Sequence, residues 1–202
     1  MSSFKIEFDR NQMNEVKKAL SGVKNGKEKV FSRAVNSTMT GVRTDATKEI
    51  GAVLNLKAKD IRDSFSIKKA SVSIMDGRID SRGKPIGLIH FSGTRQTQKG
   101  VSVKVRKDSA RKVIPHAFIA TAKSAENVFW RTYKGPRAKP RIGFAYGKLP
   151  QKYRFPIKRL TGPRIQDIYA NPEVFERVTE KADSRLKTNL DRELNYELSK
   201  LK

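Results

Sequence analysis

Cysteine is absent from this chain, which excludes disulfides, thiolate nucleophiles and Cys-ligated metals together. Histidine is nearly absent: His90 and His116 are the only two, and neither has a His, Asp or Glu at ligand spacing, so no metal site is expected. Long apolar runs are missing as well. No stretch approaches the ~18 apolar residues that span a bilayer, and residues 1–10 lack the apolar centre of a signal peptide. The expectation is a chain made and used without export and without a membrane. Acid is scarce: 20 Asp and Glu face 44 Lys and Arg, a formal charge of +24 over 202 residues. A field of that sign gathers polyanions, so nucleic acid or an acidic protein surface is the expected counterpart.

A catalytic constellation is also lacking. Asp60 with Asp63, and Asp76 with Asp80, form carboxylate pairs, but each has lysine or arginine between or beside it, which suits solvated ion pairs better than acid–base work. The segment from Gly93 to Gly100 contains glycine and lysine without the spacing of a phosphate loop. His90 lies in an apolar stretch and is expected in the core; His116 is expected to be structural. The chain is therefore read as a non-enzyme with no cofactor.

What is present is a pattern of helices at both ends and strands between them. Phe4, Ile6 and Phe8 alternate with polar residues, a strand period, and Met13, Val16, Leu20 and Val23 then take up helical spacing. From Lys27, Val30, Ala34, Val42, Ala46, Ile50, Val53 and Leu54 keep that spacing, with Thr38 filling the gap. This predicts a helix of about 25 residues, with Gly41 its weak point. A further helical turn is expected over residues 56–65. The texture then becomes β, at 72–74, 86–91, 101–106, 118–119 and 128–133. Strands this close in sequence imply antiparallel pairing. The fold class is α+β: an antiparallel sheet packed with a long N-terminal and a long C-terminal helix, in a single domain spanning 1–202.

The final helix is the clearest element, expected over 172–201. Asn171 is placed to cap it, with Pro172 at the first position and Glu173 in the first turn. Residues 173–202 hold seven acids and seven bases, so all of the +24 lies in residues 1–172. Its apolar residues, Val174, Val178, Ala182, Leu186, Leu190, Leu194 and Leu198, recur every four positions. Four residues advance about 400°, so the stripe drifts by roughly 40° per step and no single flat partner covers it. Two readings stay open: a core helix of its own domain, or one whose Leu186, Leu190, Leu194 and Leu198 face a neighbouring subunit.

Two basic stretches are candidates for meeting a polyanion. One gathers Arg95, Lys99, Lys104, Arg106, Lys107, Arg111 and Lys112; alternation with Val101, Val103 and Val105 predicts that one face of a hairpin is cationic. The other is a loop or arm over 134–155, with seven bases, no acid, and three each of proline and glycine; Arg137, Lys139 and Arg141 stand for it. Either is equally a solvated face. Aromatic residues beside these bases are few, Phe144, Tyr146 and Tyr153, which points to backbone electrostatics and not to base reading.

Several short motifs occur in a familiar order: residues 56–62 in a basic setting, Ile114-Pro-His-Ala-Phe-Ile119, Phe129-Trp130-Arg131, the segment 154–163, and Arg192 to Leu198 in the last helix. In that order, over nearly the whole chain, the sequence resembles the minor tail protein Z family, tail-completion proteins of long-tailed bacteriophages. The Pro/Gly-rich segment 134–150 is longer than that pattern. The resemblance implies a structural virion protein, assembled in the host cytoplasm, that completes the head-proximal end of the tail at the head–tail junction. It implies a homo-oligomeric ring, of six subunits, or a lumen-lining component, touching tail terminator, tail tube, tape-measure or head–tail connector proteins, with genome DNA in the lumen. The competing readings are a sequence-independent nucleic-acid-binding protein without a virion role, and a small basic ribonuclease or toxin that depends on His116.

Overall fold

A computed structural model describes residues 2–6, 14, 16, 18, 20, 25–74, 76–81, 83–122, 124–131 and 157–200. The chain divides into two compact units: Met1–Ala52, Ala58–Lys84 and Arg164–Lys202 form the first, Val53–Lys57 and Pro85–Pro163 the second.

The first unit holds strand β1 (Ser2–Ile6), helices α1 (Gly26–Val53) and α2 (Ala58–Arg62), strands β2 (Phe65–Lys68) and β3 (Gly77–Ser81), and helices α3 (Ile165–Tyr169) and α4 (Pro172–Ser199). Its sheet is antiparallel, with β3 between β1 and β2 and Ile79 opposite both Phe4 and Ile67. Helix α1 lies against β3 at Gly77, where a Cβ would stand 2.1 Å from Met39 Sδ and 2.6 Å from Val35 Cγ1. Only glycine permits that approach. The predicted positions Val30, Ala34, Val42, Ala46 and Ile50 are all at most 1% exposed, and Thr38 is as deeply buried. Gly41 leaves the helix unbroken; a side chain there would meet Arg185 of α4, so its absence makes room for an ion pair.

That pair belongs to a ladder joining α1 to α4. Thr38 Oγ1 accepts from Asn189 Nδ2 at 2.9 Å, Arg185 donates to both oxygens of Asp45 at 2.8 and 3.1 Å, and Lys181 reaches Glu49 at 2.6 Å. Partner numbers fall along α4 as they rise along α1, so the two helices are antiparallel. Helix α4 starts as expected: Asn171 accepts from the Glu173 amide at 3.0 Å and Pro172 opens the first turn. Its winding stripe is met by different partners within the same unit. Near the start, Tyr169 packs edge-on to both Phe65 and Phe175; further along, Leu190 joins Val16, Leu20, Val30, Phe31 and Ala34, with Leu194 and Leu198 packed against that cluster.

The second unit contains two three-stranded antiparallel sheets, β4 (Arg95–Thr97), β5 (Gly100–Val103), β6 (Lys112–Pro115) and β7 (Phe118–Ala122), β8 (Ala125–Arg131), β9 (Ile157–Arg159), each with its middle strand central. Leu54, Leu56, Leu88, Phe91, Val101 and Val128 are buried in it. The Asn55 side chain braces two loops, donating to the Ser92 and Lys104 carbonyls at 2.9 and 3.0 Å. Gly100 has φ +148, and a Cβ there would stand 2.0 Å from the Ile114 oxygen.

The α+β class stands, with long helices near both ends and small antiparallel sheets between. Several local readings change. Residues 72–74 are not a strand but the tip of the β2–β3 connection, closed by the Ser71 amide on the Ile74 carbonyl at 2.7 Å. Residues 88–90 form a 3-10 turn, because backbone pairing at Gly87 and Phe91 is limited to single bridges. His90 is exposed at the end of that turn, not in the core. Phe65 begins a strand where a helical turn was expected.

Candidate functional site

Charge separates sharply between the units. Among the described residues the second carries 11 Lys and Arg against only Asp108 and Glu126, a net +9; the first carries 20 against 15, a net +5. Within the second, seven cations and one acid fall in residues 95–112, the span of β4, β5, the start of β6 and their connections.

The expected alternation does not produce this cationic surface. Strand β5 ends at Val103, and Val101, Ser102 and Val103 are all buried, so both faces of this central strand are covered. The cations instead ring it. Arg95 lies on the edge strand opposite Ser102, Lys99 is in the β4–β5 turn, and Lys112 opens β6 opposite Val103. Lys104 is half-buried just past β5; Arg106 and Lys107 follow it into solvent. Arg106 lies 3.4 Å from Asp108, an exposed pair that water screens. Arg111 donates to the Gly93 carbonyl, so part of its role is to hold a loop. Arg137, Lys139 and Arg141, with the 134–155 arm and its aromatics, lie outside the described residues.

Sequence reasoning missed two features of this unit. Trp130 is 46% exposed on β8, with Lys158 opposite it on β9, and Arg131 stacks 4.2 Å above the Phe118 ring. A cleft of about 400 Å³ also opens beside Arg106 and Lys112. Val103 and Ile114 belong to different strands, and nothing in their local sequence marks a shared wall. No cluster of three or more His, Asp or Glu that could hold a metal ion is present among the described residues.

The four leucines proposed for a subunit interface divide. Leu190 is 7% exposed inside its own unit, Leu194 and Leu198 pack on the same cluster, and Leu186 is half-buried. The outward side of α4 shows Phe175 and Tyr196 instead. Tyr196 lies beneath the Lys200 ammonium at 4.0 Å, and Lys200 also reaches Glu197 at 3.2 Å. Burial pushes the Glu197 carboxyl up, but hydrogen bonds and charge from Lys200 and Arg33 more than offset this, leaving it below the usual glutamate value. The end of the helix is thus closed by a charged knot and not by a ligand site.

No helix among the described residues is long and apolar enough to cross a membrane. No curated protein and no solved structure matches the chain. A family model described as prophage minor tail protein Z (GPZ) matches residues 13–202. The match covers both helices, all three sheets but their first strand, and the cationic segment, so the chain belongs to the prophage minor tail protein Z family and is a structural protein of a phage tail.

Proposed function

We propose that this protein completes the head-proximal end of the tail, as a ring of identical subunits at the head–tail junction, with its second unit turned toward a polyanion. The observation that carries the electrostatic part is the net +9 on the described residues of the second unit, 11 Lys and Arg against two acids, with seven of those cations around one sheet. Phosphate backbones and acidic protein rings both satisfy such a field, and neither requires base-specific contacts. DNA in the tail lumen, a tail terminator, a tail tube, a tape measure or a head–tail connector are the partners this position offers. Subunit contacts by α4 fall to the exposed part of Tyr196 and the half-buried Leu186. The scarcity of acid–base and metal-binding groups fits a part that positions others and catalyses nothing.

Deleting the gene tests the placement. Tails of normal length that join heads poorly, or particles that do not infect, are expected; normal infectivity without the protein overturns it. Reversing charge at Arg95, Lys104, Arg106 and Lys112 should lower infectivity while leaving the protein folded. A protein that binds DNA in a salt-dependent way but is absent from purified virions supports the competing reading, a nucleic-acid binder without a virion role.

A further inference from the structure

The cleft in the second unit has a floor and a rim of different chemistry. Leu88, Val103, Val105 and Ile114 line its depth, while Arg106 and Lys112 stand at its mouth, both exposed. Its walls are tied by backbone hydrogen bonds. On one side the Asn55 amide donates to the Val105 carbonyl at 2.9 Å and the Lys107 amide to Val53 at 3.0 Å; on the other the Gly162 amide donates to Ile86 at 2.7 Å and the Leu88 amide to Leu160 at 3.2 Å. The cavity is therefore built into the unit and is not left by a loosely packed loop.

From this we infer that the cleft is a docking site for an acidic peptide segment of a partner protein, with one aliphatic side chain in the cleft and carboxylates against Arg106 and Lys112. Charge decides the sign of the partner: among residues 95–112 only Asp108 is acidic. The floor decides its class. A DNA backbone satisfies the cations but has no aliphatic side chain to place on four apolar residues, whereas a peptide supplies both. An aliphatic anchor surrounded by compensated charge is also the arrangement in which few residues carry most of an interface's affinity. The inference rests on the reading of this sheet as the polyanion-facing surface, and narrows it from any polyanion to one kind.

The test uses the full chain and three fluorescent probes: an eight-residue peptide of Asp and Glu with one central leucine, the same peptide with alanine in place of that leucine, and a 20-base-pair DNA duplex. Fluorescence anisotropy at low salt should show the leucine peptide binding about tenfold tighter than the alanine peptide, equivalent to about 1.4 kcal/mol. Ala110 lines the cleft and is exposed, so Ala110→Trp plugs it without altering charge. That variant should abolish the leucine preference and leave duplex binding unchanged; Arg106→Glu with Lys112→Glu should weaken all three probes. In case Ala110→Trp folds poorly, methyl resonances of Val103, Val105 and Ile114 in the unaltered chain give a second readout, shifting with the leucine peptide and not with the alanine one. Equal binding of the two peptides, or methyl resonances that stay still, overturns the inference. If the duplex binds while the peptides show no preference, only the cleft assignment falls; if no probe binds at low salt, the polyanion reading falls with it.

Discussion

Leu190→Ala decides whether the final helix is held by its own chain or by a neighbour. Leu190 is 7% exposed and sits among Val16, Leu20, Val30, Phe31 and Ala34. Truncating a leucine buried to this degree removes most of its transfer free energy and leaves a cavity, which places the loss in the range of about 2–5 kcal/mol. Leu194 and Leu198, only partly buried beside it, are free to close over part of that cavity. A loss near 3 kcal/mol is therefore expected. For a chain of this length, each kcal/mol moves the melting midpoint by roughly 2–4 °C, so a drop of about 6–12 °C should appear. Urea and thermal melts followed by circular dichroism, run at two protein concentrations tenfold apart, make the measurement. Because the cluster is intramolecular, the loss should be the same at both concentrations. A loss under about 1 kcal/mol, or one seen only where dilution dissociates an oligomer, would refute this packing and return Leu190 to a subunit interface.

Two further outcomes follow from buried polar groups of the first unit. Tyr169 is 1% exposed, its hydroxyl has no hydrogen-bond partner among the described residues, and burial pushes its pKa up to about 12. Tyr169→Phe removes an unsatisfied hydroxyl and should match or exceed the parent in stability at pH 7, by up to about 1 kcal/mol; a large loss in a urea melt counts against it. The raised pKa also means that the unfolded chain ionises first, so the parent should lose stability from about pH 10 upward relative to the variant. Glu197 shows the opposite sign. Its carboxyl is held below the ordinary value of 4.5, so its contribution is complete above that value and fades as pH falls through the lower folded value. Glu197→Gln should be less stable than the parent at pH 7, and the difference should shrink on acidification; a constant difference from pH 7 to 3 speaks against the Arg33–Glu197–Lys200 knot.

How much of this was legible in the sequence depends on the range of the forces involved. The two long helices are local events. Helical spacing over Val30 to Ile50 and the Asn171, Pro172, Glu173 start specify them within a few residues of chain, and the structure places them at Gly26–Val53 and Pro172–Ser199. The excess of base is a matter of counting. The strands were harder: β4, β6 and β9 are three or four residues long, too short for a period to declare itself. The alternation over 101–106 misled because a central strand is covered on both faces, so its polar Ser102 is buried as deeply as its valines.

By itself, the sequence determined that the chain is basic, that it has helices near both ends, and that it has no thiol. Its ordered motifs also carried the family. Tertiary structure alone decided that Arg95, Lys99, Lys104, Arg106, Lys107, Arg111 and Lys112 gather in one compact unit drawn from Val53–Lys57 and Pro85–Pro163, that Leu190 faces its own chain, and that Arg106, Lys112 and four apolar residues enclose one cleft. The reason is physical. Propensity, capping and net charge act through neighbouring residues or through simple sums, while burial and cavities depend on which distant segments the folded chain brings into contact.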